Sequence, residues 1–276
     1  GTEQSEEQAV PWYQKAAEAN ISIAQYMLGT CYHFGKGVSP NEELALHWLR
    51  KAAEQDYVGA QYALGTLLFR NEDSGENDAE AVRWLERAAE LGDIGSQVKL
   101  GVCYQDGYNV LEQGKVCFKE DMEKAVELFR NAAEQGDAEG QFQLANSYRF
   151  GLGVKKNVPE MLHWLRLSAM QGYAEAQYAL GICYQDGIGV KADIEKAMDW
   201  YERSAAQNYP DAICSVGMYY LDEEDDVETA KRLVYKAAQM DCLEAQYLMG
   251  MFLYEGDDSE EDEEAVAWFR MAARYQ

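Results

Sequence analysis

One short string returns along the whole chain and constrains what it can fold into. Ala24-Gln25-Tyr26-Met27-Leu28-Gly29 recurs, with substitutions, at 60–65, 96–101, 140–145, 176–181, 212–217 and 245–250, at offsets of 36, 36, 44, 36, 36 and 33 residues. Units of this length cannot bury an apolar face alone. They stack, and each packs only against its neighbours.

A second string runs out of phase with the first. Trp12, Trp48, Trp84, Phe129, Trp164, Trp200, Leu233 and Trp268 are each followed by small residues, as in Trp48 with Ala52-Ala53 and Trp200 with Ser204-Ala205. Both strings place apolar or small residues at i, i+3, i+4 and i+7, which is helical spacing. Each repeat then holds two helices. The first, A, is expected over 21–34, 57–70, 93–106, 137–150, 173–186, 210–221 and 243–254. The second, B, is expected over 10–18, 40–54, 77–91, 121–135, 158–170, 193–207, 226–239 and 261–274. Ser39 with Glu42 three residues later and Pro40 between them predict a capped start of a B helix, and Pro159 and Pro210 stand at other helix starts. Pro11 predicts that the first B helix begins there. Residues 1–9 are then a flexible arm, and 10–276 form one array of about seven repeats preceded by a lone B helix.

Composition narrows the function. With 24 basic and 49 acidic residues in 276, the formal charge is −25. Such a surface repels nucleic acid and anionic lipid, so the expected partner is a protein or peptide that is neutral or basic where it touches. No run of about 18 apolar residues is present, so no membrane span is expected. The six cysteines, at 31, 103, 117, 183, 214 and 242, are too few for a disulfide-built fold of this length. Cys31, Cys103 and Cys183 fall at one equivalent A-helix position in different repeats, where buried small hydrophobes are expected; the other three look isolated. Unpaired thiols favour a reducing, cytoplasmic compartment. The chain starts Gly-Thr without Met, and a leader removed beforehand would leave the same sequence.

At 174–181, Ala-Glu-Ala-Gln-Tyr-Ala-Leu-Gly is followed by the loop Tyr184-Gln185-Asp186-Gly187-Ile188-Gly189-Val190 and by Trp200-Tyr201 to Ala206. Together these resemble the Sel-1-like repeat, a relative of the tetratricopeptide repeat. Gly35 with Gly37 and Gly151 with Gly153 repeat the loop. The resemblance covers about residue 9 to the end. It implies an all-α fold, a right-handed α-solenoid superhelix of stacked two-helix repeats, and a non-enzymatic scaffold or adaptor that binds a segment on its concave face. The Gly-x-Gly-Val loops follow helices rather than strands, and a turn needing positive φ explains them better than phosphate binding does. A cysteine-rich branch of the family has been linked to β-lactam binding, so β-lactam-binding or hydrolytic activity is the alternative; the regular Cys pair of that branch is missing here.

No catalytic constellation, cofactor motif or metal-ligand spacing stands out. His33, His47 and His163 lack a second ligand at i+4. Two acidic runs, 222–226 and 257–264, lack the alternating ligands and central Gly of an EF-hand and are read as solvated loops. The tetratricopeptide analogy puts A helices on the concave side, which orders three inward rows. Tyr26, Tyr62, Val98, Phe142, Tyr178, Cys214 and Tyr247 are nearly uniform and are expected to pack. Thr30, Thr66, Val102, Asn146, Ile182, Met218 and Met251 form the second row. His33, Phe69, Gln105, Arg149, Gln185, Leu221 and Tyr254 form the third, and both vary. Asn146 and Arg149, one turn apart, could grip a peptide backbone or carboxylate. His33, Phe69, Gln105, Gln185, Met218 and Tyr254 complete the candidate face. The insertion at about 108–121 adds Lys115, Phe118 and Lys119, a basic and apolar island, as a candidate loop.

Overall fold

The computed structural model describes residues 3–69, 75–106, 121–222, 226–254 and 259–275. All regular structure among them is helical. The A helices are α2 (Ser22–Phe34), α4 (Val58–Phe69), α6 (Ile94–Asp106), α8 (Ala138–Phe150), α10 (Ala174–Asp186), α12 (Pro210–Asp222) and α14 (Leu243–Tyr254). The B helices are α1 (Glu3–Glu18), α3 (Glu42–Ala53), α5 (Gly75–Glu90), α7 (Met122–Glu134), α9 (Val158–Met170), α11 (Ile194–Ala206), α13 (Val227–Ala238) and α15 (Ser259–Ala272), the last running into a 3-10 turn. The chain divides into two compact units, Gly1–Gly140 with Leu152–Val154, and Gln141–Gly151 with Lys155–Gln276. In the first, each helix from α1 to α7 packs on the next; in the second, the same holds from α9 to α15. No described helix is long and apolar enough to cross a membrane.

Small residues set the packing distance within a repeat. A Cβ on Gly101 of α6 would lie 2.5 Å from the ring of Phe129 on α7, a side chain that is fully buried. Ala52, Ala60, Ala132, Ala176, Ala212 and Ala237 are likewise fully buried, so these positions are scaffold.

The repeated Gln of the A string has a role that hydrophobic spacing does not reveal. Gln25, Gln61, Gln97, Gln177 and Gln246 are buried and donate Nε2–H to the carbonyls of Ala17, Ala53, Ala89, Ala169 and Ala238, eight residues back, at 3.1–3.3 Å. Those carbonyls end the preceding B helix, where each already accepts the backbone N–H three residues on at 3.0–3.2 Å, and the Gln amide is a second donor to them. The Gln oxygen is then served from the end of the B helix of its own repeat: Gln55 donates to Gln25 at 2.6 Å, Gln135 to Gln97 at 3.0 Å, Gln171 to Gln141 and Gln207 to Gln177 at 2.9 Å. Where the second Gln is absent, the ladder breaks. Leu91 stands opposite Gln61 and Tyr275 falls at the place opposite Gln246, and the Oε1 atoms of both Gln61 and Gln246 are buried without a partner. Where both are replaced, as at Ile213 and Met240, the pair is apolar and packs in one core.

The B-to-A turns pass through a left-handed residue, which is Asn20, Asp56, Asn208 or Asp241 where it is not Gly, at φ of 60–64°. Asn and Asp tolerate this region better than other side chains. The A-to-B turns behave as expected for the Gly-x-Gly loops, with Gly35 and Gly187 closing α2 and α10 at φ of 70° and 71°. The second glycine answers a different need, close approach: a Cβ on Gly37 would lie 2.5 Å from the Glu6 backbone, and one on Gly153 would meet the Met122 carbonyl.

Five of the A-to-B turns are pinned at the same two points among the described residues. The cap residue of the B helix donates its N–H to a tyrosine carbonyl: Asn41 to Tyr32, Asp121 to Tyr104, Asn157 to Tyr148, Asp193 to Tyr184 and Asp226 to Tyr220, at 2.8–3.0 Å. The chain between varies in length, yet the anchor is kept, so the insertion leaves and re-enters the repeat at an unchanged position.

Two helix starts differ from expectation. The B helix at 40 begins at Glu42, with Asn41 rather than Ser39 as its cap; Asn41 Oδ1 accepts the Leu44 N–H at 2.9 Å, and the Tyr32 anchor holds Asn41 in place. Helix α1 runs through Pro11 and starts at Glu3, so residues 3–9, expected as an arm, are helical. Val10 is buried against Leu28 and Cys31, and the Gly37 turn packs on Glu6, which together offset one missing helix hydrogen bond. Asn157 caps α9 with Pro159 in its first turn, and Pro210 opens α12, as expected.

Two predictions follow from this packing. Leu91→Gln, which supplies the missing donor to Gln61 at a site already 55% exposed, should raise the unfolding free energy by about 1 kcal/mol in urea titration, whereas Gln55→Leu, which orphans Gln25, should lower it by about 1–3 kcal/mol. Gly136, at φ 90° with nothing within 4 Å of a Cβ, should tolerate Ala at a cost of about 1 kcal/mol, and Gly153→Ala should cost at least about 1 kcal/mol more.

Candidate functional site

Two of the cavities among the described residues hold candidate residues of the A helices, one in each unit. The first, of about 300 Å³, lies on α2 and α4 and is lined by Tyr26, Thr30, His33, Phe34, Tyr62 and Thr66, with Leu49 and Leu67 behind. The hydroxyls of Thr30 and Thr66 donate to their own helix, to Met27 O at 2.8 Å and to Tyr62 O and Ala63 O at 3.0 Å. Polar demand at the walls is thereby met from within, and the cavity suits an apolar or aromatic guest. His33 lies edge-on to Phe34 at 4.5 Å, and Phe34 is 63% exposed.

The second cavity, of about 330 Å³, lies on α10, α11, α12 and α14 and is lined by Gln185, Ile194, Met198, Tyr201, Cys214, Ser215, Met218, Tyr219 and Glu244. Tyr201 is buried and donates its hydroxyl to Gln185 Oε1 at 2.8 Å. Burial pushes the Tyr178 phenol up to about 12 and those of Tyr201 and Tyr209 up as well. These phenols stay protonated at neutral pH and act as hydrogen-bonding groups rather than bases.

The candidate residues separate accordingly. His33 lines the first cavity; Gln185 and Met218 line the second. Asn146 and Arg149 are half-buried on α8, with the Arg149 guanidinium 5.2 Å from the Phe150 ring. Phe69 and Gln105 are half-buried and Tyr254 is exposed, and none of the three lines either cavity. Lys99 lies over the Phe69 ring at 5.9 Å. Lys115, Phe118 and Lys119 lie outside the described residues, as do 223–225 and 257–258 of the two acidic runs; Asp226, at the end of the first, caps α13 by accepting the Thr229 N–H at 3.0 Å, and 259–264 of the second, expected as a loop, open α15. The row expected to pack is divided. Val98 and Cys214 are buried and Tyr26, Phe142 and Tyr178 half-buried, but Tyr62 is 37% and Tyr247 53% exposed.

Cys31, Cys103 and Cys183 are buried, each thiol pushed up by burial. Cys214 and Cys242, which look isolated in sequence, are brought together in one buried core by α12 and α14. Spacing held the signal. Residues 31 apart, such as Tyr26 and Tyr57, meet in other repeats, and the shorter repeat places Cys242 at the equivalent of Tyr57. Among the described residues no three His, Cys, Asp or Glu side chains gather as a metal ion would need.

The model of the Sel1 repeat matches residues 1–21, 22–57, 58–93, 94–137, 138–173, 174–209 and 243–274. The stretch it passes over, 210–242, is nonetheless the helix pair α12 and α13, and holds Ile213 in place of the repeated Gln. No curated protein sequence matches the chain. Among solved structures, a protective antigen present in uropathogenic Escherichia coli strains, displaying an SLR fold, is 31% identical with a TM-score of 0.74. That alignment covers 97% of this chain and 56% of the antigen, so this chain spans little more than half its length. A Sel1 repeat protein from Oxalobacter formigenes is also 31% identical, with a TM-score of 0.70, over 99% of this chain and 78% of that one. An immunity protein from Pseudomonas aeruginosa shares the fold at 18% identity and a TM-score of 0.54, over 78% and 81%. With paired helices throughout its described residues and the family's repeat over most of its length, the chain belongs to the Sel1 repeat family, an α-solenoid fold.

Proposed function

We propose that this chain is a non-enzymatic interaction scaffold that holds a protein or peptide segment along its A-helix face, the concave face of a solenoid. The observation that carries the reading is the cavity on α2 and α4, lined by the half-buried Tyr26 and His33 and the exposed Phe34 and Tyr62 while the scaffold positions beside them are fully buried. Aromatic side chains in a mostly apolar cleft are the usual anchors of an interface. The segment is neutral or basic, because a formal charge of −25 attracts cations and repels nucleic acid. Asn146 and Arg149 grip its backbone or a carboxylate, and Gln185 and Met218 meet it at the second cavity. Phe69, Gln105 and Tyr254 extend the face, and the insertion with Lys115, Phe118 and Lys119 is a further contact.

A random peptide library selected on the purified chain tests this. Enriched peptides should share an aromatic or aliphatic anchor beside Lys or Arg, and should weaken in about 1 M salt. Tyr26→Ala with Tyr62→Ala, and separately Asn146→Ala with Arg149→Ala, should each weaken binding about tenfold or more. Peptides that bind both double variants with unchanged affinity would place the site off the A-helix face.

A further inference from the structure

Repeat 210–242 breaks the pattern of its own chain at two linked positions. In three other repeats the aromatic residue of the A string faces the aromatic residue that precedes the next A helix. Tyr26 meets Tyr57 with ring centroids 5.1 Å apart, Phe142 meets Tyr173 at 5.4 Å, and Tyr178 meets Tyr209 at 5.3 Å. The equivalent pair between α12 and α14 is Cys214 and Cys242, both buried in one core.

The place Cys242 occupies suits an anion. Immediately before α6, Asp93 accepts the Ser96 N–H at 2.8 Å, and before α8, Asp137 accepts the Gly140 N–H at 2.6 Å. Cys242 stands in the same position before α14, and its sulfur takes the Ala245 N–H, also three residues on. A helix N-terminus favours thiolate over thiol. The neighbouring Cys214 thiol holds the Cys242 thiol below its usual range; burial opposes this, the Ala245 N–H adds to it, and Asp211, whose Oδ1 accepts the Cys242 S–H at 3.5 Å, opposes it. Cys214 is pushed up, first by the neighbouring Cys242 and then by burial. One sulfur is thus set to attack and the other to resolve. The cavity of about 330 Å³ has Cys214 in its wall and gives a small oxidant a way in.

We propose that Cys214 and Cys242 form a redox-active dithiol that closes into a reversible disulfide between α12 and the start of α14, with a hydroperoxide as oxidant. The Cys242 thiolate attacks one peroxide oxygen, the O–O bond breaks, and the departing hydroxide takes up the proton that Cys242 released, leaving as water. The Cys214 sulfur then attacks the sulfur of the Cys242 sulfenic acid; the S–O bond breaks, the S–S bond forms, and the hydroxide leaves with the Cys214 proton as a second water. Two thiols lose the two electrons that the peroxide gains. Cys31, Cys103 and Cys183, buried in separate repeats with raised thiols, take no part.

The test treats the Cys117→Ser chain with hydrogen peroxide and reads it by intact mass and by unreduced tryptic peptides. The expected product has lost two hydrogens, joins the peptides carrying Cys214 and Cys242, and reverts with dithiothreitol. At neutral pH, Cys242 should be alkylated about tenfold faster than Cys31, Cys103 or Cys183. In Cys214→Ser no bridge forms and dimedone traps a sulfenic acid at Cys242. Peroxide that joins another pair, adds oxygen to Cys214 and Cys242 without joining them, or leaves both as thiols would overturn the proposal. Those outcomes are read on the chain that retains both cysteines, so none depends on how a variant at either position folds.

Discussion

The array depends on how it ends each B helix. A two-helix repeat turns sharply, and the last carbonyls of the B helix face the start of the next A helix, where water is excluded. The buried Gln answers them by donating to a carbonyl eight residues back, in the preceding repeat, while its oxygen accepts from a Gln at the end of the B helix of its own repeat. One amide thus closes a helix end and ties two repeats together. Apolar packing is non-directional and would permit neighbouring repeats to slide; a buried amide with one donor and one acceptor in place does not. Gln61 and Gln246, whose oxygens are left alone, mark where this coupling is weakest, and Ile213 with Met240 shows that replacing both members keeps the site dry.

Repetition also separates scaffold from surface inside a single chain. Ala and Gly at the helix contacts are buried to the last atom, and a Cβ at Gly101 has no room beside Phe129. Neighbouring positions on the same helices, such as Thr30, His33 and Tyr62, are spared that duty and line a cavity instead. Where a scaffold pair itself changes, from two tilted aromatic rings to Cys214 and Cys242, side chains that can be oxidised stand in a place built for packing.

Much of the fold was legible in the residues. Most helix boundaries read from spacing lie within a residue or two of those observed, because small and apolar positions recur in every repeat and average out local exceptions. The exceptions were local. Pro11 reads as a helix start because its missing N–H and ring are costs visible in sequence, whereas the burial of Val10 that offsets them is a tertiary contact. Ser39 satisfies the pattern of a cap as well as Asn41 does; only the bond from Asn41 N–H to Tyr32 selects between them.

The sequence by itself determined the repeat, its two helices, its glycine turns and the sign of its surface, since each follows from periodicity, backbone sterics or a sum of charges. Only the tertiary structure decided which Gln oxygens find partners, that Cys214 meets Cys242, and which of the varying A-helix residues share a cavity. Those are distances between residues about thirty positions apart, fixed by the rise and turn of one repeat on the next, and no local pattern records them.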